Sequence, residues 1–113
     1  MSINKVILLG YAGKYPEVKE VAGTKVANLS LATTEKGYTL QNGIQVPDRT
    51  EWHSLIFWKG LAEVVEKYVR KGSQIYIEGK IKTRQYEDRT GSKRYVTEIF
   101  VDKLELLGSR LAQ

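Results

Sequence analysis

Residues 74–86, QIYIEGKIKTRQY, alternate between two kinds of side chain. Successive strand side chains point to opposite faces of a sheet, so this period of two predicts a strand with two unlike faces. The odd positions are aliphatic or small: Ile75, Ile77, Gly79 and Ile81. The even positions are aromatic and mostly cationic: Tyr76, Glu78, Lys80, Lys82, Arg84 and Tyr86. An ordinary solvent-facing surface carries mixed charges and few aromatic rings, so the second face is expected to contact a binding partner.

Other segments with strand-like patterns precede and follow this one. Alternation or a short apolar run predicts strands at 3–10, 17–21, 25–35, 50–59 and 94–108. The run Val6–Leu9 is apolar throughout, so we expect the first strand to be buried on both faces. Residues 36–49 contain two glycines and Pro47-Asp48, which predict a long loop at a hairpin tip.

A helix is predicted where the period changes. Apolar residues in the segment after the third long strand recur at helical spacing: Leu61, Val64, Val65, Tyr68 and Val69. Tyr68 lies on this stripe, so we expect it in the core. Arg70 and Lys71 suit the negative end of the helix dipole, and Gly72 suits the left-handed position after it.

The order of these elements predicts the fold. Five long strands, with one short helix between the third and the fourth, indicate an all-β, five-stranded Greek-key barrel of the oligonucleotide-binding (OB) type. The helix would close one end of the barrel with its apolar stripe. We therefore expect a single domain over residues 1–108 and a short, frayed C-terminal extension over residues 109–113.

Charge and cysteine content narrow the class of partner. The net charge is +5, and residues 59–95 account for all of it, with ten Lys and Arg against five Asp and Glu. A basic region indicates a polyanionic partner, nucleic acid first and an anionic membrane surface second, although a solubilising face remains an alternative. There is no cysteine, no apolar run long enough to cross a membrane and no export signal, so the cytoplasm is the expected location.

Catalysis finds few candidates in this composition. His53 is the one histidine, and without cysteine it cannot build a His- or Cys-based metal site. The adjacent carboxylates Glu87 and Asp88 fall in a glycine-bearing turn, where solvated acids are common. His53 shares the parity of Leu55 and Phe57, which favours a packed or interfacial histidine. We therefore expect no enzyme activity, no metal and no cofactor.

The residues favour binding of single-stranded nucleic acid. Such binding needs cations that follow the phosphates and flat rings on which unstacked bases lie. Lys80, Lys82 and Arg84 would supply the cations, and Tyr86 a ring beside them. Trp52 and Trp58 could add two further rings from the third long strand. The pattern alone also permits the reverse, with the tryptophans in the core and Leu55 and Phe57 outside.

Several strings resemble one family closely. They are INKVILLG, VANLSLAT, TEWH, LAEV, RKGSQIYIEG and RYVTE, and with PEV they span residues 3 to about 108. In this order and spacing they resemble the bacterial single-stranded DNA-binding protein (SSB) family. The resemblance implies an OB barrel that forms a homotetramer and binds single-stranded DNA without sequence preference, in replication, recombination and repair at the nucleoid.

The resemblance also implies roles for individual residues. Trp52, Trp58 and Tyr86 match base-stacking positions, and Tyr38 is a substitute for a further stacking tryptophan that the family often has. Lys71 and Arg84 match basic positions that approach phosphates, and together with Lys80 and Lys82 from the strand pattern they are the predicted phosphate-binding residues. His53 matches a residue at a subunit interface, and Tyr76 is expected near subunit contacts.

The chain also departs from the family pattern. Trp58-Lys59-Gly60 replaces the commoner order of an aromatic residue, glycine and lysine. Family members usually carry a flexible tail with an acidic tip, which these 113 residues do not include, so recruitment of replication and repair proteins through a tail is not assigned. Two other functions stay open: a primosome-type OB accessory protein acting through protein contacts, and an enzyme such as a nuclease.

Overall fold

The computed structural model describes residues 1–108, and the predicted extension at 109–113 lies outside them. The elements in chain order are β1 (Val6–Ala12), β2 (Glu17–Val21), β3 (Thr24–Glu35), β4 (Tyr38–Thr39), β5 (Gln45–Val46), β6 (Arg49–Trp58), α1 (Gly60–Tyr68), β7 (Gln74–Glu87) and β8 (Lys93–Leu106). No helix within the described residues is long and apolar enough to cross a membrane.

One six-stranded sheet curls into a barrel. Its strand order is β1-β7-β8-β6-β3-β2, and β1 also pairs with β3 through Tyr11 and Ala12, which closes the ring. Five long strands form the barrel and α1 lies between the third and the fourth of them, so the predicted all-β OB architecture is confirmed. The short β2 adds to the outer edge of β3, and β4 pairs with β5 in a separate small hairpin inside the predicted loop.

The core is built from one face of each long strand. Leu31, Leu55, Phe57, Ile75 and Ile77 are completely buried in it. Their alternation along the chain is the period of two that predicted the strands. Burial of these apolar side chains stabilises the barrel by roughly 1.5–3 kcal/mol for each large one.

Helix α1 packs on the core with a face that is rotated from the predicted one. Ala62, Val65 and Val69 are completely buried, whereas Tyr68 is 62% exposed, so the prediction of a core Tyr68 was wrong. Ala62 is small enough to sit directly against the barrel, and the line from Ala62 through Val65 to Val69 therefore faces inward. Tyr68 lies to one side of that line and points to solvent.

The turns at the two ends of the helix are unlike. Lys59 precedes the helix with φ 54° and ψ −123°, a conformation that residues with a Cβ rarely adopt. Gly72 follows the helix at φ 92°, as its predicted left-handed position requires. The guanidinium of Arg70 donates to the carbonyls of Glu66, Lys67 and Val69, which satisfies the last turn.

Strand β1 is not buried on both faces as predicted. Ile7 and Leu9 are 57% and 52% exposed, because their face is the outer surface formed by β1 and β7. Nothing else in the described residues covers this surface. The sequence correctly predicted that the strand is apolar. It does not show, however, that the rest of residues 1–108 leaves its outer face uncovered.

Strands β7 and β8 extend beyond the barrel as a two-stranded arm, which we define as residues 80–97. From Lys80 onward every residue of β7 is exposed, and Ile81 on its predicted aliphatic face is 47% exposed. The register between the strands shifts between Glu78 and Gly79. A Cβ on Gly79 would lie 2.3 Å from the carbonyl oxygen of Phe100, so glycine allows this close approach of the two backbones.

Candidate nucleic-acid interface

The register places the aromatic and cationic side chains on one outer face of the barrel. Strand β3 pairs Val26 with Trp58 and Asn28 with Ile56 on β6, and Ile56 in turn pairs with Phe100 on β8. Residues paired across neighbouring strands share a face. The pairing of β8 with β7 brings Lys80 beside Phe100 and Lys82 beside Glu98.

An open groove crosses this face. Its larger part has a volume of about 400 Å³, with lining residues that include Trp58, Phe100, Lys19 and Val21. A second part of about 270 Å³ reaches Lys14, Tyr15, Ser30 and Ser54. Both parts are lined by Asn28, Arg84 and Glu98, so they adjoin across the Arg84 side chain.

Two rings line the larger part of the groove, and an ammonium group lies beside one of them. The ring centroids of Trp58 and Phe100 are 6.4 Å apart, with the ring planes tilted by 32°. The Nζ of Lys82 lies 4.6 Å from the Phe100 centroid, within the range of a cation–π interaction. Val26 and Ile56 form a buried apolar floor beneath them.

Trp52 lies on the same face toward the other end of β6, and it is 61% exposed. Its six-membered ring packs against Gly13, whose N–H donates to the carbonyl of Ser30. Leu55 and Phe57 are completely buried, so the alternative with both tryptophans in the core is wrong. Because Leu55 and Phe57 face the barrel core, the alternate positions of β6, which include both tryptophans, face outward.

The four predicted phosphate-binding residues differ in their surroundings. Arg84 is held by Glu98, with Nε 2.9 Å from Oε1 and a terminal nitrogen 3.4 Å from Oε2. These hydrogen bonds and the charge of Glu98 raise the pKa of Arg84, and they offset much of its positive charge. Lys80 and Lys82 extend from the arm, and Lys82 makes no ion pair within residues 1–108.

Lys71 lies at the Trp52 end of the face. It is in the exposed turn before Gly72, whose N–H donates to the carbonyl of Ala12, next to Gly13. Tyr86 lies near the end of the arm at 44% exposure, with its ring 5.9 Å from the Arg84 guanidinium carbon. The structure thus spreads cations and rings from Lys71 to Tyr86 along one side of the molecule.

Tyr38 stands apart from the groove. It is 62% exposed on the small hairpin of β4 and β5, and it lines a separate shallow cavity with Gly37 and Asp48. The Oδ1 of Asp48 accepts from the N–H of Gly37 at 2.7 Å and ties the base of this hairpin. The structure does not bring Tyr38 together with the other predicted stacking residues.

The two predicted interface residues have local hydrogen bonds. The Nε2 of His53 lies 2.8 Å from the hydroxyl of Thr33, in a partly buried position. The hydroxyl of Tyr76 donates to Glu78, which raises the pKa of Tyr76 and, with Lys5, lowers the pKa of Glu78. Tyr76 pairs with the exposed Leu9, so it belongs to the open surface of β1 and β7.

Of the acidic pair at the tip of the arm, Asp88 is engaged in local contacts. The carboxylate of Asp88 accepts from the backbone N–H groups of Thr90 and Ser92 and from Nε of Arg94 at 2.8 Å. These contacts, of which the hydrogen bond from Arg94 has the largest effect, lower the pKa of Asp88 to about 2. The side chains of residues 1–108 form no group of three or more His, Cys, Asp or Glu residues that could hold a metal ion.

Phe100 was missed at the sequence level. It stands in the run IFV, where every residue is apolar and the face cannot be read directly. The flanking Glu98 was a usable signal, because residues 98 and 100 share a face and a charged residue favours the outer one. Phe100 is the residue that joins the Trp58 ring to the arm.

Comparisons with known proteins agree with this geometry. The model described as "Single-strand binding protein family" matches residues 3–107. A curated "Single-stranded DNA-binding protein" of Bacteroides thetaiotaomicron is 55% identical over 111 residues, which are 97% of this chain and 69% of the relative. A solved structure described as a Plasmodium falciparum SSB complex with ssDNA superposes with a TM-score of 0.84 at 31% identity, covering 96% of this chain and 97% of that chain.

Proposed function

The chain belongs to the single-strand binding protein family, and from this membership we propose that it binds and protects single-stranded DNA without sequence preference in replication, recombination and repair. The relative from Bacteroides thetaiotaomicron is named for this activity, and the Plasmodium falciparum structure is described as bound to ssDNA. The expected place of action is the nucleoid in the cytoplasm.

One observation carries the proposal: two exposed tryptophans share a face with cations that form no ion pair within residues 1–108. Trp52 and Trp58 are six residues apart on β6, which is about 20 Å along a strand. Two adjacent bases cannot span that distance, so several nucleotides run between the rings. Stacking requires bases that are already out of a duplex, and this requirement selects single strands.

Sequence independence follows from the chemistry of the contacts. Every base has a flat face, so aromatic rings accept all four bases at about 1–3 kcal/mol each. Lys71, Lys80 and Lys82 would neutralise phosphates and release counterions, which makes the affinity depend on salt. Tyr86 would stack a further base at the arm, and Tyr38 would contact the strand from its separate hairpin. This mechanism is binding, with no chemical step and no cofactor.

A homotetramer is part of the proposal. The exposed Ile7, Leu9 and Tyr11 form an apolar row on β1, with Tyr76 beside them on β7. The other edge of β1 pairs within residues 1–108 only at Tyr11 and Ala12, which leaves Val6–Leu9 free for strand pairing with a second copy. We assign Tyr76 and His53 to contacts between copies. The measured mass of the assembly in solution tests this part.

Tryptophan fluorescence tests the proposed function directly. Titration with a long oligothymidylate at low and high salt, with matched duplex as control, should quench the emission strongly and saturate at a fixed nucleotide-to-protein ratio. Binding seen by anisotropy without quenching would leave only electrostatic attachment. Absence of binding to the single strand would favour the primosome-type accessory role, and shortening of the oligonucleotide with divalent metal would favour a nuclease.

A further inference from the structure

Phe100 occupies the groove as part of its aromatic surface. Its neighbours on β8, Ile99 and Val101, are buried in the barrel, whereas Phe100 faces outward and is only partly buried. An aromatic ring that is left partly open above an apolar floor is well suited to a flat ligand. The stacking positions implied by the family resemblance do not include Phe100.

The distance between Phe100 and Trp58 joins the two rings into one surface. A centroid separation of 6.4 Å lies within the 4.5–7 Å over which aromatic rings interact. A base that stacks on Trp58 therefore also reaches the ring of Phe100. The Lys82 ammonium, 4.6 Å from the Phe100 centroid, lies at the border of this surface.

Of Lys82 and Arg84 on β7, Arg84 has a carboxylate partner and Lys82 has none within residues 1–108, which leaves one of the two cations available for one phosphate. Arg84 is engaged by Glu98 across the groove, so its guanidinium is partly neutralised. Lys82 carries no carboxylate partner within residues 1–108, and the face of a phenyl ring does not neutralise an ammonium group. Lys82 thus presents a positive charge, with no ion pair within residues 1–108, at 4.6 Å from one ring of the pair.

We propose that Trp58, Phe100 and Lys82 form a one-nucleotide subsite, in which the ring pair contacts the base and Lys82 binds the phosphate of the same nucleotide. This inference rests on the proposed single-strand binding and adds a base-contacting residue to it. Phe100 contacts DNA in its own right, beyond any role in holding Lys82.

Replacement of the ring separates these roles. Phe100→Leu keeps an apolar side chain above Val26 and Ile56, and it should weaken binding to oligothymidylate about tenfold, at the lower end of one stacked base. The slope of log affinity against log salt should stay unchanged, because no phosphate contact is lost. Trp58→Ala combined with Phe100→Leu should weaken binding by less than the product of the single effects, because both rings contact one base.

The matched control is Tyr95→Leu. Tyr95 is on the same strand at 73% exposure, but it has the opposite parity and faces away from the groove. This variant should bind like the wild type. Thermal unfolding of all the variants checks that the barrel is intact.

A measurement on the unmodified protein covers the case in which a variant fails to fold. Photo-cross-linking to oligothymidylate that carries 5-iodouracil, with the attached residue located by mass spectrometry, should give adducts at Phe100 as well as at Trp58. Adducts at tryptophan with none at Phe100 would overturn the subsite. So would wild-type affinity of a folded Phe100→Leu, or a salt slope that falls with this variant, since the ring would then act only through Lys82. Failure of the wild type to bind would instead refute the proposed function itself.

Discussion

The ring of Trp52 rests on the backbone of Gly13 so closely that any side chain at position 13 would have to displace the ring. A Cβ built on Gly13 would lie 2.1 Å from Cζ3 and 2.6 Å from Cη2 of Trp52. Gly13 has no positive φ, so the need for glycine here is one of space alone. The contact supports one edge of the indole and leaves the rest of the ring exposed.

Gly13→Ala should therefore displace the Trp52 ring and weaken single-strand binding about fivefold, at the lower end of the roughly 1–3 kcal/mol that one stacked base contributes. The same change in a Trp52→Ala background should have no effect on affinity, since the clashing ring is gone. Gly60→Ala is the control, because a Cβ there meets nothing within 4 Å. Equal losses of affinity in both backgrounds would show that Gly13 acts independently of Trp52.

Trp52→Ala should weaken binding by about 1–3 kcal/mol, the contribution of one stacked base, without unfolding the barrel. Tyr68→Ala is a matched control, because Tyr68 has almost the same exposure, 62% against 61%, and lies on the helix away from the groove. Affinities are measured by anisotropy with a labelled oligonucleotide. A Trp52→Ala variant that binds as tightly as Tyr68→Ala would refute the stacking role.

The salt dependence of binding should distinguish Lys82 from Arg84. Lys82→Ala should reduce the slope of log affinity against log salt by about 0.7, the value for one phosphate contact on a single strand. Arg84→Ala should reduce it by less, since Glu98 already offsets its charge. The titrations are run at several salt concentrations for each variant. A larger change for Arg84→Ala would mean that DNA displaces Glu98 from the guanidinium.

Lys59→Gly should raise the free energy of unfolding by about 1 kcal/mol, because glycine adopts φ 54° and ψ −123° without the penalty that a Cβ brings. Chemical denaturation at pH 7 measures this. Lys67→Gly is the contrasting control: it lies in the helix at ordinary φ, so it should lower the free energy of unfolding by a similar amount. If Lys59→Gly also destabilises the protein, the Lys59 backbone carries no strain.

Asp88→Asn should lower the melting temperature at pH 7 and have less effect in acid. The pKa of Asp88 is about 2 in the folded protein, below its ordinary 3.8, so its ionised form favours folding above about pH 4. That contribution is lost as the pH falls through 3.8 toward 2. Melting temperatures of both proteins between pH 7 and pH 2.5 should converge. A constant difference over this range would contradict the assigned cause.

Much of the fold was readable from side-chain periodicity. A period of two located the five long strands, and a change to helical spacing located α1, because core burial imposes those periods. Tyr68 and Ile7 were predicted to be buried because they are apolar in a regular pattern, and Ile81 lies on the predicted aliphatic face of β7, yet all three are exposed. Their exposure depends on where the barrel ends and on which surface lacks a cover, and these are tertiary facts that no local pattern contains.

The candidate site was only partly readable. The even positions of β7 could be predicted to form a binding face, because cations interleaved with tyrosines are rare on an ordinary surface. The side chains of Trp52 and Trp58 could not be placed from pattern alone, since both parities of β6 are apolar from Leu55 to Trp58. The pairing of Arg84 with Glu98 and the packing of Trp52 on Gly13 join residues far apart in the chain. Such contacts depend on the register between strands, which could not be predicted from the sequence.

The projecting arm formed by β7 and β8 divides the molecule into two units of unequal stability. Beyond Gly79 the hairpin is held by its own ladder and has little buried apolar surface, so we expect its amide hydrogens to exchange with solvent well before those of the barrel. The rings and cations thus lie on both units, Trp52 on the slow one and Lys82, Arg84 and Tyr86 on the fast one. Local opening of the arm would release a bound strand from one end while the barrel keeps hold of the other.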